Sequence, residues 1–371
     1  MAKFFELNEQ KFGFGCMRLP LIEKEVDIEQ FKKMVDLFIE KGFIYFDTAH
    51  GYLGGRSELA LKEALTSRYP RDKYLLTDKL TGNFFNKEED IRPLFEEQLK
   101  ACGVDYFDFY LMHAQNASNY EQFKRCRAYE IASELKKEGK VKHVGISFHD
   151  TADVLEKILR ENPQVEVVQI QYNYLDYDDV AVQSKKCYDV CVKYNKPVII
   201  MEPIKGGNLI KLPGMAKEVL EEQGITPQNL ALRFAASPEN VMMVLSGMST
   251  LEQMEDNLSF MKDFKPITEE EFKLTRKIVE IFRGQHLIAC TACRYCIDGC
   301  PKHISIPDLF ALLNSKRVFN DWNANFYYNN VHTINNGKAS DCIKCGKCER
   351  VCPQKLHIRD LLVEVAKEFE K

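Results

Sequence analysis

IYFDTA (44–49), KYLLTDKL (73–80) and YFDFYLMHA (106–114) are three short β-rich runs, and the segments between them place apolar residues three and four apart. Short apolar runs of this kind read as buried strands, and the three-and-four spacing reads as amphipathic helix. Working outward, the same alternation takes in FGFG (12–15), HVGISF (143–148), VEVVQIQYN (165–173), PVIIME (197–202) and VMMVLSG (241–247), which makes eight strands. DIEQFKKMVDLFIEKG, KEEDIRPLFEEQLKACG, RAYEIASELKKEGK and LEQMEDNLSFMKDF are the clearest helices; the first three reach Gly42, Gly103 and Gly139, where a helix C-terminus commonly lies. Strands alternating with helices imply right-handed βαβ units and a parallel sheet. Eight such units in about 250 residues have the size of a (β/α)8 barrel. A doubly wound open sheet is the alternative, but the strand count and the absence of a composition break favour the barrel. The fragment Gly13-Phe-Gly15 lacks a third glycine three residues on and does not argue a dinucleotide fold.

The rest of the composition narrows the class. At 371 residues, 45% hydrophobic and 29% charged, the chain is too long for one ordinary core and too apolar for disorder. A net charge of −4 argues against nucleic-acid binding through bulk charge. The start has no cationic flank followed by an apolar core, and no apolar run nears the roughly 20 residues of a membrane helix. A cytoplasmic location is expected, with neither a membrane nor a nucleic acid as partner. Thirteen cysteines remain to be explained. Cys16, Cys102, Cys126, Cys187 and Cys191 are scattered and read as small buried hydrophobes, while eight fall between Cys290 and Cys352. Without an export signal, metal binding or redox chemistry is a better reading of that density than a disulfide scaffold.

The eight form two copies of one run. Cys290-Thr-Ala-Cys293-Arg-Tyr-Cys296-Ile-Asp-Gly-Cys300-Pro301 and Cys342-Ile-Lys-Cys345-Gly-Lys-Cys348-Glu-Arg-Val-Cys352-Pro353 are both C-x2-C-x2-C-x3-C-P. That run resembles bacterial two-cluster ferredoxins, in which the fourth cysteine of each group ligates the other cluster. The resemblance implies one [4Fe–4S] cluster on Cys290, Cys293, Cys296 and Cys352, and a second on Cys342, Cys345, Cys348 and Cys300. Two zinc sites of four thiolates are the rival, but zinc demands neither the third C-x2 step nor the prolines. Residues 281–371 carry thirteen Lys/Arg against nine Asp/Glu, a net of +4 that the formal charge of two oxidised clusters, about −4, would cancel. The long connection, with its helical IPDLFALLNS, resembles the helix-rich ferredoxin modules attached to larger redox enzymes. Trp322, the sole tryptophan, reads as a core aromatic between domains, with a place beside a cluster as the alternative.

In a barrel of this kind, catalytic residues occupy the C-terminal ends of strands. Asp47, Lys79 and His113 close the second, third and fourth strands, and Tyr52 follows in the loop after Asp47. Each has an ordinary reading alone, but all four on consecutive strand ends suggest one pocket. Here the sequence resembles the aldo-keto reductase family, whose Asp-Tyr-Lys-His tetrad matches Asp47, Tyr52, Lys79 and His113 in order, within the words FDTAHGY, TDK and LMH. The resemblance covers about residues 12–264 and implies hydride transfer between a nicotinamide and a carbonyl or alcohol. Tyr52 would be the acid, Lys79 would favour its ionised form, Asp47 would hold Lys79, and His113 would orient the carbonyl oxygen. It also implies that Ser147, Gln169 or Asn173 holds the carboxamide, that Met201 stands where an aromatic usually covers the nicotinamide, and that Ser246, Gly247 and Asn257 lie along the cofactor. Between Gly247 and Asn257 there is no Lys or Arg for a 2′-phosphate, so NADH is as open as NADPH.

The expected map is a barrel over 1–264, a connecting helix over 265–285 and a small, mainly helical, ferredoxin-like iron–sulfur domain over 286–371. Because a nicotinamide gives two electrons and a cluster passes one, a flavin can intervene, and a barrel can hold one without a short motif. The expected function is an oxidoreductase on a small carbonyl substrate, with a ferredoxin or other carrier as electron partner. Two alternatives stand beside it: an electron-transfer or redox-sensing protein whose barrel is a docking module, and a reductase whose clusters are purely structural.

Overall fold

The computed structural model describes residues 5, 10–284 and 287–371. Its eight long-range strands are β1 (Phe12–Gly15), β2 (Tyr45–Asp47), β3 (Leu75–Leu80), β4 (Phe107–Gln115), β5 (Val141–Phe148), β6 (Val167–Gln171), β7 (Val198–Met201) and β8 (Val241–Ser246). All pair in parallel in the order β1-β8-β7-β6-β5-β4-β3-β2, and β2 pairs back onto β1 to close the barrel. The open-sheet alternative is thereby excluded.

Side chains alternate between the lumen and the helix layer, as the period of two requires. Tyr45, Phe109, Leu111, Val167, Ile199, Met243 and Leu245 fill the lumen, while Phe46, Tyr110, Val144, Ile146, Phe148 and Val168 pack outward against the helices. The lumen is tight enough to demand glycine. A Cβ on Gly145 would lie 2.5 Å from Val167 Cγ1 and 2.6 Å from Leu111 Cδ2, so this position of β5 has no room for a side chain.

The helix Glu269–Arg283 was expected to be a connector. Instead, Thr268 and Glu271 cap its start, and Ile278, Val279 and Phe282 are buried in the same core as the barrel helices. Its apolar face had to be covered, and the barrel is what covers it. The remaining chain folds around Leu309, Phe310, Leu313, Tyr328, Leu362 and Val365, a separate core supplied mainly by the helices Ile306–Phe319 and Ile358–Phe369.

This second unit rests on the loops that follow β5, β6 and β7, which is the C-terminal face of the barrel. His332 Nε2 meets Ala181 O at 3.1 Å, and Lys205 Nζ pairs with Asp176 at 2.8 Å on its own side and with Asp321 at 3.0 Å across the seam. Phe282 packs on Phe319 and His149 on Phe326, with ring centroids 4.9 Å and 5.5 Å apart. Trp322 is not a core residue: it opens the helix Trp322–Tyr327 and is 49% exposed. Among the described residues, no helix is long and apolar enough to cross a membrane.

Candidate active site and cluster sites

Odd-numbered positions of β2 and β3 face the lumen, which brings the strand-end residues Asp47 and Lys79 together at the top of the barrel. Lys79 is fully buried and donates to Asp47 Oδ1 at 2.6 Å, to Thr48 O at 2.7 Å and to Tyr52 Oη at 3.2 Å. Tyr52 reaches this point because the chain turns sharply after it. Leu53, Gly54 and Gly55 are all left-handed, at φ 53°, 68° and 88°, and two glycines make most of that turn inexpensive. The His113 ring lies 5.8 Å from the Tyr52 ring, edge to face, with Nδ1 2.7 Å from Thr81 Oγ1. All four residues expected on consecutive strand ends are thus in one cluster.

The electrostatics separate their states. Burial works against the Lys79 ammonium, but Asp47 and Tyr52 outweigh it and hold its pKa above the usual lysine value. Burial raises the Tyr52 phenol; Lys79 pulls it back only in part, and the phenol stays protonated. Lys79 does favour the ionised form, as expected, but desolvation of a phenolate costs more than one shared ammonium returns. His113 is pushed well below the usual histidine range by burial, then by Lys79 and His149, and is neutral.

The expected cofactor residues divide into two sets. Ser246, Gly247 and Asn257 line a groove of about 500 Å³, together with Arg18, Glu202, Gly206 and Gln253. The helix Leu251–Met261 starts at this groove, capped by Thr250, and its N-terminus presents backbone donors suited to a phosphate. Asn257 Nδ2 donates to Ser246 Oγ at 3.2 Å. Met201 closes β7 and is half-buried. The other three are engaged elsewhere. Ser147 Oγ accepts from Ala114 N at 2.8 Å, and Gln169 Nε2 lies 3.4 Å from Asp47 Oδ2. Asn173 bonds Asp176 and Glu202 O through Nδ2, and the Leu175 and Asp176 amides through Oδ1, so it holds a loop rather than a free carboxamide partner.

Arg18 was not found from the sequence. It stands in the loop after β1, 3.9 Å from Glu202 and against Gly247, where a Cβ would touch its side chain at 3.2 Å. Only the closure of β1 onto β8 brings that loop beside the β8 end, and no local pattern announces it. Glu202, Glu252 and Asp256 are the acids of the same groove.

The eight clustered cysteines converge in two places. One small cavity is lined by Cys290, Cys293, Cys296 and Cys352, with Ile306, Pro307 and Phe310; the other by Cys300, Cys342, Cys345 and Cys348, with Ile304, Ile306 and Leu362. The sequence duplication is repeated in the backbone. Left-handed residues recur at matching positions of the two runs: Ala292 and Lys344 (φ 53° and 57°), Arg294 and Gly346 (64° and 69°), His303 and Lys355 (51° and 50°). Such alternating backbone forms an amide-lined hollow suited to a cluster. Burial first, then the neighbouring thiols, pushes the Cys296 thiol up to about 12, and a bound cation is what would favour its thiolate. The donor set and the cradle therefore both fit iron–sulfur ligation. The other five cysteines are buried and unpaired.

Comparison with known proteins agrees with both halves. Residues 11–280 match the model of the aldo/keto reductase family, and residues 289–357 match that of a 4Fe-4S dicluster domain. The chain is 25% identical over 259 residues to an NADH-specific methylglyoxal reductase of Escherichia coli (strain K12), covering 59% of this chain and 78% of that protein. It is 27% identical over 297 residues to a 7-acetyl-epi-neemfruitin B aldo-keto reductase of Melia azedarach, covering 73% and 86%. Among solved structures, an aldo-keto reductase from Klebsiella pneumoniae in complex with NADPH superposes with a TM-score of 0.60 at 20% identity, over 72% of this chain and 90% of that one. One from Bacillus halodurans gives 0.60 at 24% identity, over 72% and 91%.

Proposed function

The chain belongs to the aldo/keto reductase family, and on that footing we propose that it reduces a small carbonyl compound with a nicotinamide cofactor while its C-terminal module holds two [4Fe–4S] clusters that exchange single electrons with a protein carrier such as a ferredoxin. The observation that carries the reductase reading is the Lys79 ammonium, whose three protons go to Asp47, Thr48 O and Tyr52 Oη.

Because Lys79 donates to the Tyr52 oxygen, the phenol's own proton is free to be given to a substrate oxygen. Tyr52 is the general acid. Lys79 stabilises the phenolate left behind, and Asp47 keeps Lys79 charged and fixed. His113, neutral and with Nδ1 turned to Thr81, presents Nε2–H to the carbonyl oxygen where negative charge develops. The nicotinamide, when bound, supplies the hydride. Ser246, Gly247, Asn257, Arg18 and the N-terminus of helix Leu251–Met261 would hold its phosphates and ribose along the groove. Replacing Tyr52 by Phe removes the proton and leaves the volume, so NAD(P)H-dependent carbonyl reduction is expected to fall about 10²–10⁴-fold in kcat. An intact rate in Tyr52→Phe overturns the assignment.

The groove's charges also bear on cofactor choice. Its lining sets Arg18 against Glu202, Glu252 and Asp256, and the last two sit on the helix where a 2′-phosphate needs cations. NADH is expected to give at least about tenfold higher kcat/KM than NADPH, a factor worth about 1.4 kcal/mol. Equal values for the two cofactors contradict that expectation.

Of the flavin reading, one feature is pertinent. A cavity of about 440 Å³ lies between the barrel loop Leu175–Val180 and Cys290, where a relay between barrel and cluster would sit. Asp176, Asp178 and Asp179 line it, the first two already paired with Lys205 and Arg276. The clusters, when bound, supply one-electron transfer to and from the external carrier.

A further inference from the structure

The strand alternation that places Asp47, Lys79 and His113 in the lumen also selects His149. On β5, Val144, Ile146 and Phe148 pack outward, while Gly145 and Ser147 face in. His149 is the next inward position, just past the strand end, and its amide donates to Gln115 O at 2.9 Å beside the His113 strand. Its Nδ1 is buried and without a hydrogen-bond partner. Over the imidazole lies Phe326 of the C-terminal module, centroid to centroid 5.5 Å and tilted by 62°. Phe326 itself is only partly buried. A buried polar atom left unpaired costs about 1–3 kcal/mol, and His149 is close enough to the tetrad to act electrostatically on His113 and to feel Lys79, so a substrate atom is its natural partner.

We propose that His149 and Phe326 are the specificity-determining pair of the substrate pocket, and that the cluster-bearing module thereby supplies one wall of the barrel's active site. This rests on the carbonyl-reductase reading and adds the substrate class. The preferred substrate is a small neutral carbonyl compound with a second oxygen, either a hydroxyl or another carbonyl. The second oxygen meets His149 Nδ1, and the apolar part lies on the Phe326 ring. Keto acids are disfavoured for two reasons. Burial, and then the Lys79 charge, take His149 down to about 4, so the imidazole is neutral at working pH and offers no cation. The Lys79 charge is already matched by Asp47 at 2.6 Å.

The test uses the iron-loaded protein and three substrates of one skeleton: methylglyoxal, propanal and pyruvate. For the wild type, kcat/KM should be highest for methylglyoxal and lowest for pyruvate. His149→Phe should raise KM for methylglyoxal about tenfold, as loss of one buried hydrogen bond implies, and bring the methylglyoxal-to-propanal ratio toward one. His149→Gln, which keeps a polar atom, should restore most of that ratio. Phe326→Ala should raise KM for methylglyoxal and propanal together, more than it lowers kcat, while Phe326→Tyr stays near wild type. Iron content and far-UV ellipticity equal to wild type show that the module is still folded. A wild-type ratio in His149→Phe, or a KM within twofold of wild type in Phe326→Ala, overturns the pair while leaving the reductase intact. Absence of any carbonyl turnover by the wild type overturns the reductase reading instead, and this inference falls with it.

Discussion

Lys79 commits every ammonium proton to Asp47, Thr48 and Tyr52, and that single side chain explains the protonation states around it. The consequence is a pH profile. Tyr52 must be protonated to act as acid, and its pKa is raised from 10 by burial, so reduction is lost only as pH climbs past that raised value. His113 is lowered well below 6.5, so its protonation, which would remove the neutral donor the pocket needs, lies on the acid side. kcat/KM for reduction is therefore expected to be flat through pH 6.5–9, with alcohol oxidation rising as the phenol ionises. An inflexion near 6.5 in the reductive direction contradicts the neutral His113. At this scale the sequence was informative where residues sit on consecutive strand ends, as the tetrad does. It was silent on Arg18 and His149, whose relevance depends on strand closure and on which face of β5 is turned inward. It could not show that Asn173 bonds within its own loop, because such a side chain looks the same in sequence as one turned to a ligand.

At the scale of elements, eight strands were legible because each buried strand carries its own period and turn signals. The packing between elements was not. The turn Glu202–Gly207 shows why: on one side Glu202 and Gly206 line the groove at the end of β8, and on the other Lys205, 3% exposed, is clamped between Asp176 of the barrel and Asp321 of the C-terminal module. Nothing local in EPIKGG marks that lysine as buried. Removing it leaves two buried carboxylates without a cation, a loss of about 3–5 kcal/mol for a broken buried pair. Lys205→Met is expected to lower the melting temperature of the iron-loaded protein, with the cluster chromophore bleaching at lower temperature than in wild type. Unchanged melting and bleaching would mean that the clamp does not hold the module. The helix Glu269–Arg283 makes the same point in the other direction: its amphipathic pattern was plain, but the pattern does not say which core it joins.

Taken as a whole molecule, the chain pairs an acidic reductase barrel with a basic module. The net charge of −4 divides into −8 over residues 1–280 and +4 over residues 281–371, and the positive part is what two anionic clusters would neutralise. The module sits on the face of the barrel that carries Asp47, Tyr52, Lys79 and His113, so on the proposed function carbonyl chemistry and single-electron chemistry would occupy adjoining ends of one structure. What the composition displayed as a surplus of cysteines becomes two cavities, each lined by four cysteines, three from one run and one from the other. The most direct test of that union is the iron and acid-labile sulfide content of anaerobically purified protein that reduces a carbonyl with NADH. The account predicts about eight irons and eight sulfides per active chain; about four irons, or zinc in place of iron, in protein that turns over equally well contradicts it.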